Sequence, residues 1–202
     1  KGFASASHIR ELLTNGEDAS AYLTAESAAI YARECAAGRA PVTMQNAERA
    51  VLSRLRAMCE EDFARYDSGN EGLYRRFYDA ARTVASVDEL LSAVKTKRYA
   101  YARLRRMLLA AYLDIAAAEL PQVIPYLRVL ACNERGRMLL RAIKNEGSAP
   151  VLTKSADVRS LSEEAQRLFA LSARACDQYV LAYPELRAAK GGGAWTQGPV
   201  IV

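Results

Sequence analysis

The stretch SVDELLSAVK, from Ser86 to Lys95, gives the firmest indication of a helix anywhere in the sequence. Ser86 stands three residues before Glu89, and this spacing forms a capping box. In such a box the two side chains satisfy each other's free amides at the start of a helix. The stretch therefore predicts a helix that begins immediately after Ser86.

Helical patterns continue on both sides of this stretch. A short helix is predicted from Ser7 to Leu13, capped by Ser7, and a longer helix between Thr24 and Gly38. Residues 43–58, 70–84 and 160–182 each place apolar side chains at helical spacing. The chain is therefore predicted to be mainly α.

The pattern changes after Pro121 and Pro125, where apolar runs become short. RVLAC (128–132) and PVLT (150–153) are two such runs, and a capped helical segment, residues 133–148, lies between them. Strand, helix and strand in this order predict a small right-handed βαβ unit. A continuous helix over residues 128–140 is the alternative, because runs this short do not distinguish a strand from a buried helix. Residues 191–202, GGGAWTQGPVIV, predict a flexible tail.

The composition limits the classes of function. A net charge of +5 over 202 residues favours an anionic partner, although proteins that bind nothing acidic often carry such an excess. His8 is the only histidine and no CxxC pair exists, so a zinc site or a histidine-based triad can hardly be built. No apolar run reaches about 18 residues and no signal sequence is present, which predicts a cytoplasmic protein without a membrane partner. We assign no catalytic residue and no metal ligand.

The stretch KTKRYAYARLRRM, from Lys95 to Met107, carries six basic residues, two tyrosines and no acidic residue. On a helix its apolar side chains would face the core and its cations would face outward. Guanidinium groups pair with phosphates and tyrosines stack on unpaired bases, so this face could follow an RNA backbone. The alternative is a solvated face whose arginines pair with neighbouring carboxylates. The candidate RNA-binding residues are Lys95, Lys97, Arg98, Tyr99, Tyr101, Arg103, Arg105 and Arg106.

A second candidate site is SASHIR, residues 5–10, at the start of the first predicted helix. Free amides, the hydroxyls of Ser5 and Ser7 and the cation of Arg10 could together hold a phosphate. The alternative is that Ser7 only caps the helix.

Several of these segments, in this order, resemble the bacterial tRNA(Met) cytidine acetate ligases, which carry a HIGH-type nucleotidyltransferase domain followed by a mostly helical C-terminal domain. The KTKRY block is the most specific match, and the resemblance covers nearly the whole chain. The matching segments are ASASHIR (4–10), NEGLYRRF (70–77), KTKRYAYARLRRM (95–107), PYLRVLACNERG (125–136), PVLTK (150–154) and ACDQY (175–179).

The resemblance implies an activity and its substrates. Such enzymes use ATP, with magnesium, to activate acetate as acetyl-adenylate. They then transfer the acetyl group to the N4 amine of the wobble cytidine in elongator tRNA(Met). Ser5, Ser7 and Arg10 would border the nucleotide pocket, and the basic segment would hold tRNA.

The family's HNGH-type motif, which cradles ATP, does not occur in the sequence, and the chain begins at KGFASASHIR without a methionine. We therefore expect the C-terminal portion of a longer enzyme, inactive by itself. The expected fold is a helical, bundle-like domain with a small βαβ element, the N-terminal Rossmann-like nucleotidyltransferase domain being largely absent. The expected regions are 1–16, the end of that domain; 17–120, a helical tRNA-binding domain; and 121–202, a small α/β element with a long helix and a tail.

Two other functions stay open at this stage. A helical interaction module could use the basic face to bind an acidic protein, without any catalysis. A peripheral membrane helix is disfavoured, because the apolar face carries several alanines and is needed for the core.

Overall fold

Helices make up most of the protein in the computed structural model, which describes residues 3–67, 69 and 71–202, apart from the side chains of residues 144 and 145. Asn70, part of one predicted helix, lies outside the described residues. The helices are α1 (Ala6–Thr14), α2 (Ala25–Ala36), α3 (Glu48–Ala57), α4 (Glu60–Ala64), α5 (Leu73–Thr83), α6 (Val87–Val94), α7 (Tyr101–Leu113), α8 (Glu134–Glu146), α9 (Glu163–Tyr179) and α10 (Gly193–Thr196).

Several helix starts follow the capping residues that the sequence predicts. Ser86 accepts a hydrogen bond from the Glu89 amide at 3.1 Å, so α6 begins where expected. The Glu89 carboxylate accepts from the Ala85 amide instead of from Ser86, one residue before the expected partner. Thr24 caps α2 and Asn133 caps α8 in the same manner.

The basic segment was predicted to be one continuous helix, but the structure interrupts it. Lys95 ends α6, residues 95–100 form a connection, and α7 begins only at Tyr101. The cause is Tyr99, whose ring is 4% exposed in the core and whose hydroxyl donates to the Glu71 carbonyl at 3.1 Å. The burial of Tyr99, and not the helical spacing of the sequence, therefore determines the path of the chain between α6 and α7.

The first of two hydrophobic cores lies among α3, α4, α5, α6 and α7. Its centre consists of side chains with no exposed surface, which come from all five helices at the spacing the sequence predicts. They are Val51, Leu55, Phe63, Leu73, Phe77, Leu90, Val94 and Leu104.

The second core lies between α9 and the strands that surround α8. Phe169 of α9 is fully buried, with Tyr126 and Trp195 beside it. Trp195 meets the Phe169 ring edge-on, with the ring centroids 4.7 Å apart. Ala194 and Trp195, in the predicted flexible tail, thus pack against this core, whereas Val200, Ile201 and Val202 stay exposed.

Four strands of two residues form two small parallel sheets. Leu127–Arg128 (β1) pairs with Val151–Leu152 (β3), with α8 between them in sequence, as the βαβ prediction requires. The predicted strand 128–132 is broken, however, because Ala131–Cys132 (β2) pairs with Val200–Ile201 (β4) instead. The alternative of a continuous helix over 128–140 is wrong. None of the helices in the described part of the chain has the length and hydropathy that a membrane crossing requires.

Asp114 connects the two parts of the protein. It follows α7 in the left-handed conformation, with φ of 56°, and its carboxylate accepts a 2.5 Å hydrogen bond from the Tyr66 hydroxyl. Arg54, Arg65 and Arg174 lie 3.5, 3.7 and 3.5 Å from the same carboxylate. The bond from Tyr66 lowers the pKa of Asp114, partial burial opposes this, and the three arginines lower the pKa further.

We expect Asp114→Asn to lower the free energy of unfolding at pH 7 by about 1–2 kcal/mol, since Tyr66 and three arginines lose a charged partner. Asparagine tolerates the left-handed conformation, so the substitution removes the charge without straining the backbone. The folded-state pKa of Asp114 lies below its ordinary value of 3.8. Its charge therefore stabilises the fold above that value, and this contribution is lost as the pH falls through the folded-state pKa.

Urea unfolding of both proteins from pH 7 down to pH 3 measures this contribution. The difference between them should be constant at higher pH and narrow only below about 4. A difference that persists unchanged to pH 3 would show that the Asp114 charge is not its source.

Candidate functional site

A cleft of about 1070 Å³ separates α1 and α2 from the rest of the helices. Its walls come from α1, α2, residues 39–45, one residue of α7 and the end of α9. The cleft brings together parts of the chain that are far apart in sequence. Its polar and aromatic lining includes Ser7, Arg10, Glu11, Asn15, Tyr31, Glu34, Arg39, Arg105, Tyr179 and Tyr183.

The first helix does not begin as predicted. Ser5 is the residue that caps α1, because its hydroxyl accepts from the His8 amide at 3.2 Å. Ser7 is an exposed residue within the first turn, so its expected role as the cap is wrong. The shift leaves Ser7 free to line the cleft together with Arg10, three residues further on.

Arg105 reaches the same cleft from α7. The side chains of Arg10 and Arg105 are both exposed. In the described part of the chain, neither guanidinium has a carboxylate within ion-pair distance. Two cations without an acidic partner thus face one concave space, which attracts anions.

A third cation in the cleft, Arg39, is already neutralised. Its guanidinium donates to the Glu34 carboxylate at 2.6 Å, and Arg33 donates to the same carboxylate at 3.1 Å. The hydrogen bond from Arg39 outweighs desolvation and lowers the pKa of Glu34, so this acid stays charged. Among the described residues, Arg10 and Arg105 are therefore the cations of the cleft without a carboxylate partner, and Glu11, which also lines the cleft, is the acid that opposes them.

The wall at residues 38–45 is held against the end of α9. Gly38 follows α2 with φ of 69°, in the left-handed conformation, and its carbonyl accepts from the Glu185 amide at 3.0 Å. A side chain at Gly38 would overlap that of Glu185. Asn46 donates to the carbonyls of Pro41 and Ala182, at 3.2 and 3.0 Å. These contacts hold the residues that follow α9 in the wall of the cleft.

Three tyrosines supply the aromatic part of the lining. Burial and the neighbouring Cys35 raise the pKa of Tyr31 to about 12, so its hydroxyl stays neutral. Tyr179 is 54% exposed and meets Tyr183 edge-on, with ring centroids 6.1 Å apart. The sequence analysis did not select these residues. Tyr179 ends the ACDQY segment that contributes to the family resemblance, and Tyr183 follows it four residues later.

Arg98 and Arg103, two of the predicted RNA contacts, are paired inside the protein. Both donate to the Glu71 carboxylate, at 2.9 and 3.2 Å, and Arg103 also donates to Asp67 at 3.2 Å. The Asp67 side chain is 2% exposed. The expectation of a basic face free of carboxylates is therefore wrong at Arg98 and Arg103.

The same contacts explain the ionisation of Glu71 and the placement of Tyr99. Desolvation alone would raise the pKa of Glu71, but hydrogen bonds from Arg103 and Arg98 outweigh it and lower that pKa. The Arg103 guanidinium lies over the Tyr99 ring, 5.2 Å from its centroid. Tyr99 was expected to point outward, and its burial beneath Arg103 corrects that expectation.

The other predicted contacts remain on the surface around α7. Lys97 and Arg106 are exposed, and Tyr101 is 43% exposed. Lys95 and Arg105 flank the Tyr101 ring, 5.4 and 5.9 Å from its centroid. Arg106 lines a second cleft of about 520 Å³, together with Arg65 and Arg103. The basic residues of α7 are thus divided between two clefts.

A metal centre finds no support in the described residues. Nowhere in residues 3–67, 69 and 71–202 do three histidine, cysteine, aspartate or glutamate side chains lie close enough together to hold an ion.

Arg103 and Arg105, two residues apart on α7, are expected to differ in what their removal costs. Arg103→Ala should lower the free energy of unfolding by about 2–3 kcal/mol, because it leaves the buried Asp67 carboxylate and Glu71 with fewer partners. Arg105→Ala should change it by less than about 0.5 kcal/mol, since no carboxylate in the described part of the chain lies within ion-pair distance of Arg105. Urea unfolding of the two variants measures both values. Equal losses would contradict the division between them.

The HIGH Nucleotidyl Transferase family model matches residues 1–192. The tRNA(Met) cytidine acetate ligases of Fervidobacterium nodosum and Kosmotoga olearia are 33% and 36% identical to the chain over 177 and 157 residues. These alignments cover 83% and 75% of this chain, but 41% and 37% of the relatives.

Two crystal structures of Thermotoga maritima TmcAL, one apo and one bound with alpha-thio ATP, match the fold with a TM-score of 0.92 and 25% sequence identity. Each match covers 99% of this chain, and 51% or 52% of the TmcAL chain. The chain therefore spans about two fifths to one half of the length of these relatives.

The family match corrects the fold class expected from the sequence. The sequence analysis placed the nucleotidyltransferase domain largely outside this chain and treated the chain as a C-terminal portion. That expectation is wrong, because the nucleotidyltransferase model covers residues 1–192, nearly the whole chain. The expectation depended on one missing ATP-binding motif, and a missing motif does not locate a domain boundary. The chain belongs to the HIGH nucleotidyl transferase family.

Proposed function

We propose that this chain takes part in the ATP-dependent acetylation of a cytidine in tRNA(Met), the reaction for which its curated relatives are named. The resemblance of the motifs, the family match and the ATP-analogue complex of the T. maritima protein support this proposal. Because the chain spans only part of those relatives, the whole reaction is assigned to the enzyme and not to these residues alone.

The proposed chemistry has two steps. A carboxylate oxygen of acetate attacks the α-phosphorus of ATP, pyrophosphate leaves, and acetyl-adenylate forms. The N4 amine of the cytidine then attacks the acetyl carbon, AMP leaves, and the amine loses a proton. The first step handles the phosphates of ATP, and the second brings the phosphate of acetyl-adenylate together with RNA, so the reaction is favoured by cations placed beforehand in a concave site.

The observation that carries the proposal is the meeting of Ser7, Arg10 and Arg105 in the large cleft. Ser7 and Arg10 are the residues expected near the nucleotide, and Arg105 belongs to the segment expected to hold tRNA. A volume of about 1070 Å³ is at the upper end of what ligand sites usually occupy, so phosphates and a nucleoside fit together. Ser5 contributes by capping the helix that presents the other two residues.

The surface around α7 would extend this site along the RNA. Exposed side chains there offer further phosphate contacts, and Tyr101 offers a ring face. Arg98, Tyr99 and Arg103 would support the segment from within, since all three contact Glu71 or each other. We assign the RNA contact to region 17–120, the nucleotide edge to region 1–16, and a supporting role to region 121–202. The surface contacts are Lys97, Tyr101 and Arg106, with the half-buried Lys95 beside the Tyr101 ring.

We expect Arg105→Ala to bind tRNA(Met) about 10- to 150-fold more weakly, the range for one lost charge-assisted contact. Its salt dependence should also be shallower, by about one unit of slope per cation removed, because fewer counterions are released. Fluorescence anisotropy over a series of salt concentrations measures both quantities.

Arg141→Ala is the matched control. Arg141 is an exposed arginine on α8 and does not line the cleft. The proposal fails if this control loses as much affinity as Arg105→Ala, or if Arg105→Ala binds tRNA normally. The melting temperatures of both variants should stay close to that of the parent protein.

A further inference from the structure

The end of α9 places an exposed aromatic ring in the same cleft as two cations without acidic partners. Tyr179 is the last residue of α9, and Tyr183 follows after one 3₁₀ turn, Val180–Ala182. Both line the cleft with Arg10 and Arg105. A ring that is 54% exposed contributes little to the core, so its position calls for a different explanation.

The ring of Tyr179 is held in place before any ligand arrives. Its edge-on contact with Tyr183 has an interplanar angle of 84°, a favourable geometry for two aromatic rings. The backbone beneath it is also fixed, because the Tyr112 hydroxyl donates to the Gln178 carbonyl at 3.4 Å and Asn46 donates to the Ala182 carbonyl at 3.0 Å. A preorganised aromatic surface loses little entropy on binding.

Cations and an exposed ring in one cleft match the chemistry of a nucleotide. Guanidinium groups take the phosphates, and an aromatic face stacks on any base, because every base has a π-face. An adenine of ATP and an unpaired base of RNA both fit this description. The two sources differ in how far the ligand extends beyond the cleft.

Arg105 favours RNA over ATP as the source of the base. Its side chain lines the cleft and also lies 5.9 Å from the centroid of Tyr101, on the outer surface of α7. The Lys95 ammonium lies 5.4 Å from the centroid of the same Tyr101 ring. A strand that crosses α7 and enters the cleft meets all of these groups, whereas a single nucleotide meets only those inside.

We propose that Tyr179, positioned by Tyr183, stacks on an unpaired base of an RNA strand whose phosphates lie on Arg105. The inference rests on the proposed function, since it assumes that the cleft receives RNA. It adds to that function a residue that recognises single-stranded RNA and makes no contact with the phosphates.

The test compares three substitutions of Tyr179. Tyr179→Phe keeps the ring, Tyr179→Leu keeps the apolar bulk without a ring, and Tyr179→Ala removes both. A fluorescein-labelled single-stranded oligouridylate is the first probe, and inorganic polyphosphate, a polyanion without bases, is the second. ATP is the third probe, and its affinity is measured separately.

Loss of a single base stack weakens RNA binding by roughly 5- to 150-fold. We expect this loss for Tyr179→Ala and Tyr179→Leu, and less than about a twofold change for Tyr179→Phe, with the salt slope unchanged in all three. Affinity for polyphosphate and for ATP should stay the same. Tyr22→Ala is the matched control, because Tyr22 is 40% exposed and contacts another ring edge-on, that of His8, without lining the cleft.

Three results would overturn the inference. Normal RNA binding by Tyr179→Leu would exclude stacking, and an equal loss of polyphosphate binding would indicate a general effect on the cleft. A loss of ATP affinity with RNA affinity unchanged would assign the ring to adenine. If the Arg105 variant loses RNA affinity while the Tyr179 variants do not, the proposed function stands and only this inference fails.

Discussion

The carboxylate of Asp114 is the interaction on which the rest of the arrangement depends. It lies at the end of α7 and gathers Tyr66, Arg54 and Arg65 from the first core and Arg174 from α9. Arg174 also donates to the Asp114 carbonyl at 2.8 Å, which ties α9 to the backbone as well as to the side chain. One partly exposed acid therefore holds α9 against the end of α7, beside the contacts of Gly38 and Asn46 that hold the residues after α9.

The sequence predicted those parts of the fold that depend on neighbours along the chain. Ser86 and Thr24 start helices because their hydroxyls accept bonds from amides three residues away, and that spacing is visible in the sequence. The misplaced cap at Ser7 shows the limit of this signal, since Ser5 and Ser7 offer the same hydroxyl and only the geometry of the first turn selects Ser5. The strand at residues 131–132 depends on a partner about seventy residues away, near 200, which no local pattern indicates.

The same distinction between local and distant contacts applies to the residues of the candidate site. Arg10 and Arg105 could be selected from charge and motif, because exposed basic residues near a helix start or on a basic helix attract phosphates. Arg98 and Arg103 carry the same charge in the same segment, yet Glu71 and Asp67 approach them from a distant part of the chain and neutralise them.

Contacts between distant parts of the chain also decide which tyrosines are available to a ligand. Tyr99, inside the basic segment, is buried, and Tyr179, outside it, faces the cleft.

The two hydrophobic cores share one helix, and this has a consequence for how ligands affect the protein. The first part of α9 is buried in the second core through Ala165, Phe169 and Ala173, and Ala182, just beyond its end, is buried in the first core. A ligand held at that end therefore binds only when both cores are folded. Its binding free energy is added to the stability of each by thermodynamic linkage, in proportion to the logarithm of its concentration. Amide hydrogens of the second core, which does not line the cleft, would then exchange more slowly with solvent when the cleft is filled.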